Sequence, residues 1–383
     1  MQKQNNSLHI TPNTLRVGIT GQSGFIGSHL FNYLRNKTDI ELILFEDNYF
    51  VNELELDEFV SRCDTIVHLA ALNRHGEKGI IYKTNIDLVE KLLSSVRRTS
   101  AKPHIIMSSS TQEDLDNEYG LSKKVSREIF VKSHINEEIF FTGLIIPNVF
   151  GPFGNPFYNS FISTFSYQIS NQLQPQIQVD SEVNLIYVLD LVSIIYDTII
   201  HKNYSSELVV QHSFTFKVSE VLKKLYAFHD TYTINGAFPN FDNYFDLCLF
   251  NTFRSYIDSN YFPRPFKLNT DDRGSFVEVV KSSGTGQFSF STTKPGITRG
   301  NHYHLRKVER FAVIHGKALI QLRKIGTDNI IEYQLDGKSP SYVDMPVYYT
   351  HNIKNTGDDD LLTLFWINEF YNPDDPDTYF ETV

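Results

Sequence analysis

The stretch Ile19–Gly27, ITGQSGFIG, lies between the apolar run LRVGIT (residues 15–20) and the helix-like FIGSHLFNYLRN, and its reading decides the fold of the first half of the chain. Gly21 would let the chain turn tightly, and Gly24 would let backbone approach a pyrophosphate. Gly27 would let the following helix lie close on the sheet, with the amides at its start aimed at anionic oxygens. Three spaced glycines alone also suit a purely structural turn, so the context matters. Strand-length and helix-length runs keep alternating through IELILFE, LDEFVSRC, DTIVHLAA, PHIIMSSS and IFFTGLIIPNVFG. This is the pattern of crossover units on a parallel sheet, hence a doubly wound α/β domain.

Within that domain, Ser23, Phe25 and Ile26 of the turn, with Leu69 and Ala70 at the end of DTIVHLAA, are expected beside the cofactor together with Gly21, Gly24 and Gly27. Glu46 and Asp47 end the second strand, where a carboxylate can accept from ribose hydroxyls, and no arginine follows closely to hold a 2'-phosphate. That favours NAD, but a solvated strand end would look the same, and NAD versus NADP stays open on these residues. Ser108–Ser110 end another strand, while Tyr119 and Lys123, four apart, share one face of a helix. Reducing a carbonyl needs a proton donor at the developing alkoxide. A tyrosine serves if a nearby ammonium lowers its pKa and a hydroxyl orients the oxygen.

A length of 383 residues with 41% hydrophobic content predicts two domains with proper cores. The 35 basic and 45 acidic residues leave a net charge of −10 with no basic run, which argues against nucleic acid. Two distant cysteines, Cys63 and Cys248, suggest neither a disulfide framework nor thiolate zinc. No segment is apolar for the 18 residues a membrane span requires, and the polar start MQKQNNSLHITPNT reads as an overhang, so a cytoplasmic protein is expected. The division expected is an overhang at 1–14, a nucleotide-binding domain at 15–240, a packed aromatic connector at 241–266, and a second domain at 267–383. Beyond Lys267, short strand-like runs punctuated by glycine and without helices indicate an antiparallel barrel or jelly roll.

In RGNHYHLRKVE (299–309), His302 and His304 would point to the same side of a strand, Glu309 would return toward them after a turn, and His351 in PVYYTHNIKN could join them. Three imidazoles and a carboxylate suit zinc, iron, manganese or nickel better than calcium or magnesium. A lone histidine in a β domain is more often an ordinary residue, but the joint pattern is not.

TGQSGFIG, DTIVHLAA, Asn85, SSS, YGLSK and PNVFG resemble the extended short-chain dehydrogenase/reductase family, whose members act on nucleotide sugars. The resemblance implies a Rossmann-type fold, Ser110, Tyr119 and Lys123 as the catalytic set, Tyr119 and Lys123 also beside the cofactor, and Asn85, Asn148 and Asn159 toward the sugar nucleotide. The chain departs from the family in having only eight residues between Ser110 and Tyr119 and in carrying Ile145 and Ile146 where an arginine is often found. The spacing from Gly296 through His302, His304 and Glu309 to Gly316 resembles the first cupin motif. Pro346 through His351 to Asn355 resembles the second, except that Tyr348 stands where glycine is usual. DDRGSF (271–276) and KPGITRGNHYH (294–304) are similar to cupin epimerases of 4-keto-6-deoxysugars, in which the residue matching His302 is a base. One imidazole cannot both ligate a metal and use the same lone pair to take a proton. Tyr348 and Tyr349 are then candidates for returning a proton.

As a whole, with NSFISTF, NTDDRGSF and NPDDPDTYF, the chain resembles the bifunctional capsular polysaccharide enzymes of the UDP-N-acetyl-L-fucosamine pathway. That implies C3 epimerisation of a UDP-2-acetamido-2,6-dideoxy-4-hexulose in the cupin, then C4 reduction to a UDP-N-acetyl-6-deoxy-L-talose. It further implies NADPH, zinc and a homodimer. Two alternatives are a 4-ketoreductase whose cupin is a non-catalytic dimerisation or sensor module, and a nucleotide-sugar dehydratase or 4-epimerase. The second is weakened by NE rather than an Asp-Glu pair before Tyr119, although Glu118 keeps it open.

Overall fold

The computed structural model describes residues 14–383 except 273, 278, 281, 283 and 285. The expected overhang, apart from Thr14, and Arg273 of DDRGSF lie outside the described residues. The chain divides into two compact units, one of residues up to Val149 with Val183–Thr215, the other of Phe150–Glu182 with Phe216–Val383.

The first unit runs β1 (Leu15–Thr20), α1 (Phe25–Leu34), β2 (Ile40–Ile43), α2 (Glu53–Arg62), β3 (Thr65–His68), α3 (Ile80–Thr99), β4 (His104–Ser110), α4 (Glu118–Ile135) and β5 (Phe140–Ile146). Beyond β6 (Asn148–Phe150), α5 (Phe161–Ser170) and β7 (Glu182–Tyr187) come α6 (Val188–His201) and β8 (Ser205–Val209). Six strands form one sheet in the order β2-β1-β3-β4-β5-β8, every pair parallel. Val17–Thr20 and Thr65–His68 are wholly buried, as strands covered on both faces must be. Phe59, Leu92, Leu93 and Phe130 build the core on one face, and Leu30, Leu34, Ile195 and Ile199 the core on the other. The strand order reverses at β1, between β2 and β3, so the carboxyl ends of β1 and β3 border the crevice where such sheets bind ligands.

In the second unit, α7 (Val218–Phe228) and α8 (Tyr244–Arg254) follow β9 (Phe214–Lys217). The expected aromatic connector holds a helix of 11 residues, α8, which buries Phe245, Phe250 and Phe253. Strands follow: β10 (Arg264–Pro265), β11 (Leu268–Asp271), β12 (Gly274–Val277), β13 (Gln287–Thr293), β14 (Thr298–Tyr303), β15 (Glu309–His315), β16 (Lys317–Lys324), β17 (Ile330–Asp336), β18 (Ser341–Met345), β19 (Tyr349–Asn355), β20 (Leu361–Ile367) and β21 (Tyr379–Phe380). They form two antiparallel five-stranded sheets, β10-β18-β15-β20-β13 and β17-β16-β19-β14-β21, and the hairpin β11-β12. Val313, Ile320, Leu322, Val343 and Ile353 from both sheets make one core. On the other face of β15 and β18, Arg310 and Asp344 form a buried bidentate pair, and the Tyr232 hydroxyl donates to Asp344 at 2.6 Å. Among the described residues, no helix is long and apolar enough to cross a membrane.

Candidate functional sites

Gly21 leaves β1 with φ +70°, a left-handed conformation that favours glycine, and its amide neighbour Gly24 closes the turn by donating to Gly21 O at 3.0 Å. A Cβ on Gly21 would lie 2.8 Å from Ala70 N, and one on Gly27 would lie 2.2 Å from Gly21 O. The turn therefore packs directly against Leu69–Ala70 and against the first turn of α1. Gly24 is the extended N-cap of α1, with no side chain over the free amides that follow. Ser23 and Glu46 are exposed, and the Ser23 hydroxyl reaches Asp47 at 3.5 Å, so the end of β2 comes back to the glycine turn. Phe25 and Ile26 are half-buried at the start of α1.

Tyr119, Lys123 and Arg127 follow one another at four-residue spacing along α4. Lys123 is buried; its ammonium donates to Ser108 O at 2.8 Å and sits 5.8 Å from the centre of the Tyr119 ring. Burial pushes it down to about 8, against which Glu113 favours the charged form. His68, at the end of β3, is lowered to about 3 by burial and then by Lys123, and stays a neutral imidazole bonded to the Thr20 hydroxyl at 2.8 Å. Ser108 and Ser110 share one face of β4 and Ser109 takes the other. Ser110 is half-buried, and its hydroxyl accepts from Gln112 N at 3.2 Å as the cap of a 3-10 turn, Thr111–Asp114.

That turn is held to α4 by two residues the sequence reading passed over. Arg127 makes a forked pair with the buried Glu113, at 2.7 Å between Nη2 and Oε2, and Glu113 also accepts from Ser109. Gly120 abuts Gln112 O, so the turn lies tightly against the helix start. A four-residue offset from Lys123 on the helix was a signal for Arg127; nothing in the sequence marked Glu113.

The three asparagines fare differently. Asn85 is buried, accepts from Leu72 N at 2.7 Å, and donates to Leu72 O and the Ser122 hydroxyl. Both its donor hydrogens are bonded within the protein, where they brace α3, α4 and the loop after β3. Asn148 is exposed, with one amide hydrogen given to Asn184 O at 3.3 Å; Asn159 sits in an exposed turn of the second unit.

In the second unit, His302, His304, Glu309 and His351 converge, with one ligand atom from each lying within 4.8 Å of all the others. His302 and His351 face each other across β14 and β19, their ring centres 4.6 Å apart. Simple alternation does not bring this about. A bulge between Gly300 and His302, with Asn301 at φ +62°, resets the register, and His304 lies just past the strand end. Tyr348, in the glycine position of the second motif, does adopt a left-handed φ of +61°; its amide donates to His304 O at 2.8 Å. The glycine-like backbone is therefore kept without the glycine.

The cluster fits a transition metal. His304 Nε2 lies 3.0 Å and His351 Nε2 3.4 Å from Glu309 Oε2. All three atoms are buried, and none has a well-formed hydrogen bond. Buried polar atoms aimed at one another without a bond mark a ligand set. Burial would raise Glu309, but His304 and His351 hold it well below the usual carboxylate range. Burial, then His351 and His304, lowers His302 to about 4, leaving a neutral imidazole.

Residues 17–208 match the NAD dependent epimerase/dehydratase family, and residues 269–379 match the polysaccharide biosynthesis C-terminal domain. A Pseudomonas aeruginosa relative, UDP-2-acetamido-2,6-beta-L-arabino-hexul-4-ose reductase, is 33% identical over 95% of this chain and 98% of its own. The capsular polysaccharide assembling protein CapF of Staphylococcus aureus is 36% identical, covers 96% of this chain and 100% of its own, and superposes with a TM-score of 0.61. Spore coat polysaccharide biosynthesis protein SpsL of Bacillus subtilis is 27% identical over 28% of this chain and 79% of its own. With the family pattern spanning the doubly wound unit and a relative matching nearly end to end, the chain belongs to the NAD dependent epimerase/dehydratase family, with a Rossmann-type fold joined to a polysaccharide biosynthesis C-terminal domain.

Proposed function

We propose that the chain is a bifunctional nucleotide-sugar enzyme. Its C-terminal part, a zinc-binding cupin, epimerises C3 of a UDP-2-acetamido-2,6-dideoxy-4-hexulose. Its Rossmann part reduces the C4 ketone with NADPH to a UDP-N-acetyl-6-deoxy-L-talose for capsule or O-antigen synthesis, in the cytoplasm and as a homodimer. The functional division is 15–240 and 267–383 about the segment 241–266. One observation carries the reading: a single chain holds both a Tyr119–Lys123 pair, in a domain that opens on a glycine turn, and a converged His302, His304, Glu309, His351 set. The name of the P. aeruginosa relative supports the substrate. The two five-stranded sheets around one core support the cupin, and the orphaned buried atoms of the cluster support the metal.

The turn Gly21–Gly27 lets the cofactor pyrophosphate approach the free amides at the start of α1, with Leu69 and Ala70 alongside. The bound nicotinamide supplies hydride. Tyr119 gives its proton to the C4 oxygen as negative charge grows there; Lys123, charged below about pH 8, favours the resulting phenolate, and Ser110 orients the oxygen. In the cupin, His302, His304, Glu309 and His351 would hold the metal, which when bound polarises the ketone and acidifies C3. As a ligand, His302 is not the base. For proton return, burial raises both Tyr348 and Tyr349 above the usual tyrosine pKa, Tyr348 well above it, so Tyr349 gives up its proton more readily. Tyr349 is therefore the better donor.

The dehydratase reading asks Glu118 to act as an acid, yet its carboxylate accepts from Tyr82 N at 3.1 Å, bracing the first turn of α3. Product analysis by NMR after incubation with a UDP-4-keto-6-deoxy-HexNAc, in parallel with NADPH and NADH, tests the proposal. A 6-deoxy-talo product with NADPH is expected. Reduction without inversion at C3 would leave the cupin a non-catalytic module, and loss of water without net reduction would restore the dehydratase.

A further inference from the structure

His304 and Glu309 are joined by a loop that belongs to neither β14 nor β15. A loop joining two of four converging side chains must itself be fixed, because a drift of about 1 Å would separate the donor atoms. The fixing comes from the far end of the chain. The carboxylate of Asp377, 3% exposed, accepts from the amides of Leu305, Arg306 and Lys307, each at 3.0 Å. Its carbonyl oxygen lies 2.5 Å from His304 Nδ1. A carbonyl only accepts, so Nδ1 carries a ring proton, which leaves Nε2, the atom facing Glu309, as the one that would present its lone pair to a bound metal. The same segment is tied down on both sides. Lys307 Nζ donates to Pro376 O at 2.6 Å, and the Tyr379 ring stacks on Tyr303.

We infer that Asp377 is a positioning residue of the histidine cluster, its carboxylate fixing the 305–307 loop and its carbonyl the tautomer of His304, so that the C-terminal segment is part of the metal site. The inference rests on the metal reading above. Asp377 has φ +39°, so Asp377→Gly keeps the backbone and removes the carboxylate, while Asp377→Asn keeps an acceptor without the charge.

The test titrates metal-stripped full-length protein with Zn²⁺ or Co²⁺ against a competing chelator, with NADPH binding to the same samples as the check on folding. The expected result is a loss of metal affinity of about 10- to 100-fold for Asp377→Gly, a smaller loss for Asp377→Asn, and unchanged NADPH affinity. The Co²⁺ absorption bands should also change shape. Equal affinity in wild type and both variants would overturn the inference and leave the metal reading standing. A wild type that binds neither ion would remove the metal reading itself. Should the variants fail to fold, ¹⁵N-histidine spectra of wild type decide: His304 must be protonated at Nδ1 and ligate through Nε2, and the opposite tautomer would refute the inference.

Discussion

The glycine turn after β1 and the histidine cluster reach the same end, a set of groups held for a ligand, from opposite materials. In the turn the recognising groups are backbone amides, and the residues that matter are those lacking a side chain. The left-handed position there is Gly21, where no Cβ is strained. In the cluster the recognising groups are side chains, and the backbone bends to deliver them. Asn301, Tyr348 and Asp377 all have positive φ and none is a glycine. Each such residue costs roughly 1–2 kcal/mol, which neighbouring bonds must offset. Those bonds are present: Glu381 N donates to Asn301 O at 3.0 Å, Tyr348 N to His304 O, and three amides to Asp377. A site made of backbone is written locally, whereas one made of side chains draws its support from residues far along the chain.

Four variants sharpen that comparison. Tyr119→Phe removes the proposed proton donor and should lower ketone reduction by about 10²- to 10⁴-fold in a stopped-flow NADPH assay, with metal content unchanged. His351→Ala leaves Glu309 with one fewer partner; metal affinity, read by chelator competition, should fall by more than the roughly 100-fold upper range for supporting residues, with NADPH binding intact. Gly27→Ala places a methyl against Gly21 O and should weaken NADPH binding or folding by about 1–3 kcal/mol, read by fluorescence titration and thermal melting, while sparing the cluster.

The mildest change concerns Lys123. The ammonium is the useful form, so reduction should fall as pH rises through about 8. Tyr119 on α4, His68 on β3 and Glu113 in the turn after β4 are the groups that bear on it. Glu113→Gln removes the charge that favours the ammonium, so the descending limb should move to lower pH, with about a 10-fold loss at pH 8. A limb that stays put would show that Glu113 only holds the turn. For folding the sign runs the other way. Lys123 titrates lower in the folded chain than unfolded, so burying its charge opposes stability below about pH 8. That penalty is relieved as pH rises toward the unfolded value.

Much of this was legible in the sequence because it is local. The glycine spacing, the Tyr119–Lys123 offset and the HxH spacing each fall within one element or one turn, and short runs punctuated by glycine marked the all-β character after Lys267. What was not legible depends on contacts across the chain. The bonds of the Asn85 amide to Leu72 and Ser122 join residues 13 and 37 positions apart, which no local pattern announces. Glu113 and Asp377 are ordinary acids in sequence, and only packing turns them inward. The helix at Tyr244–Arg254 hid behind nearly continuous apolar and aromatic residues, which carry no clear period once a helix is buried all round.

In the proposed function, proton exchange at C3 and hydride transfer at C4 are separate operations of one chain. The most direct measurement is deuterium incorporation, followed by NMR, with a UDP-4-keto-6-deoxy-HexNAc in D₂O. Zinc-loaded wild type and Tyr119→Phe should both place deuterium at C3 without NADPH, and only wild type should go on to reduce C4 when NADPH is added. Wild type that oxidises NADPH with no deuterium at C3 would contradict the account.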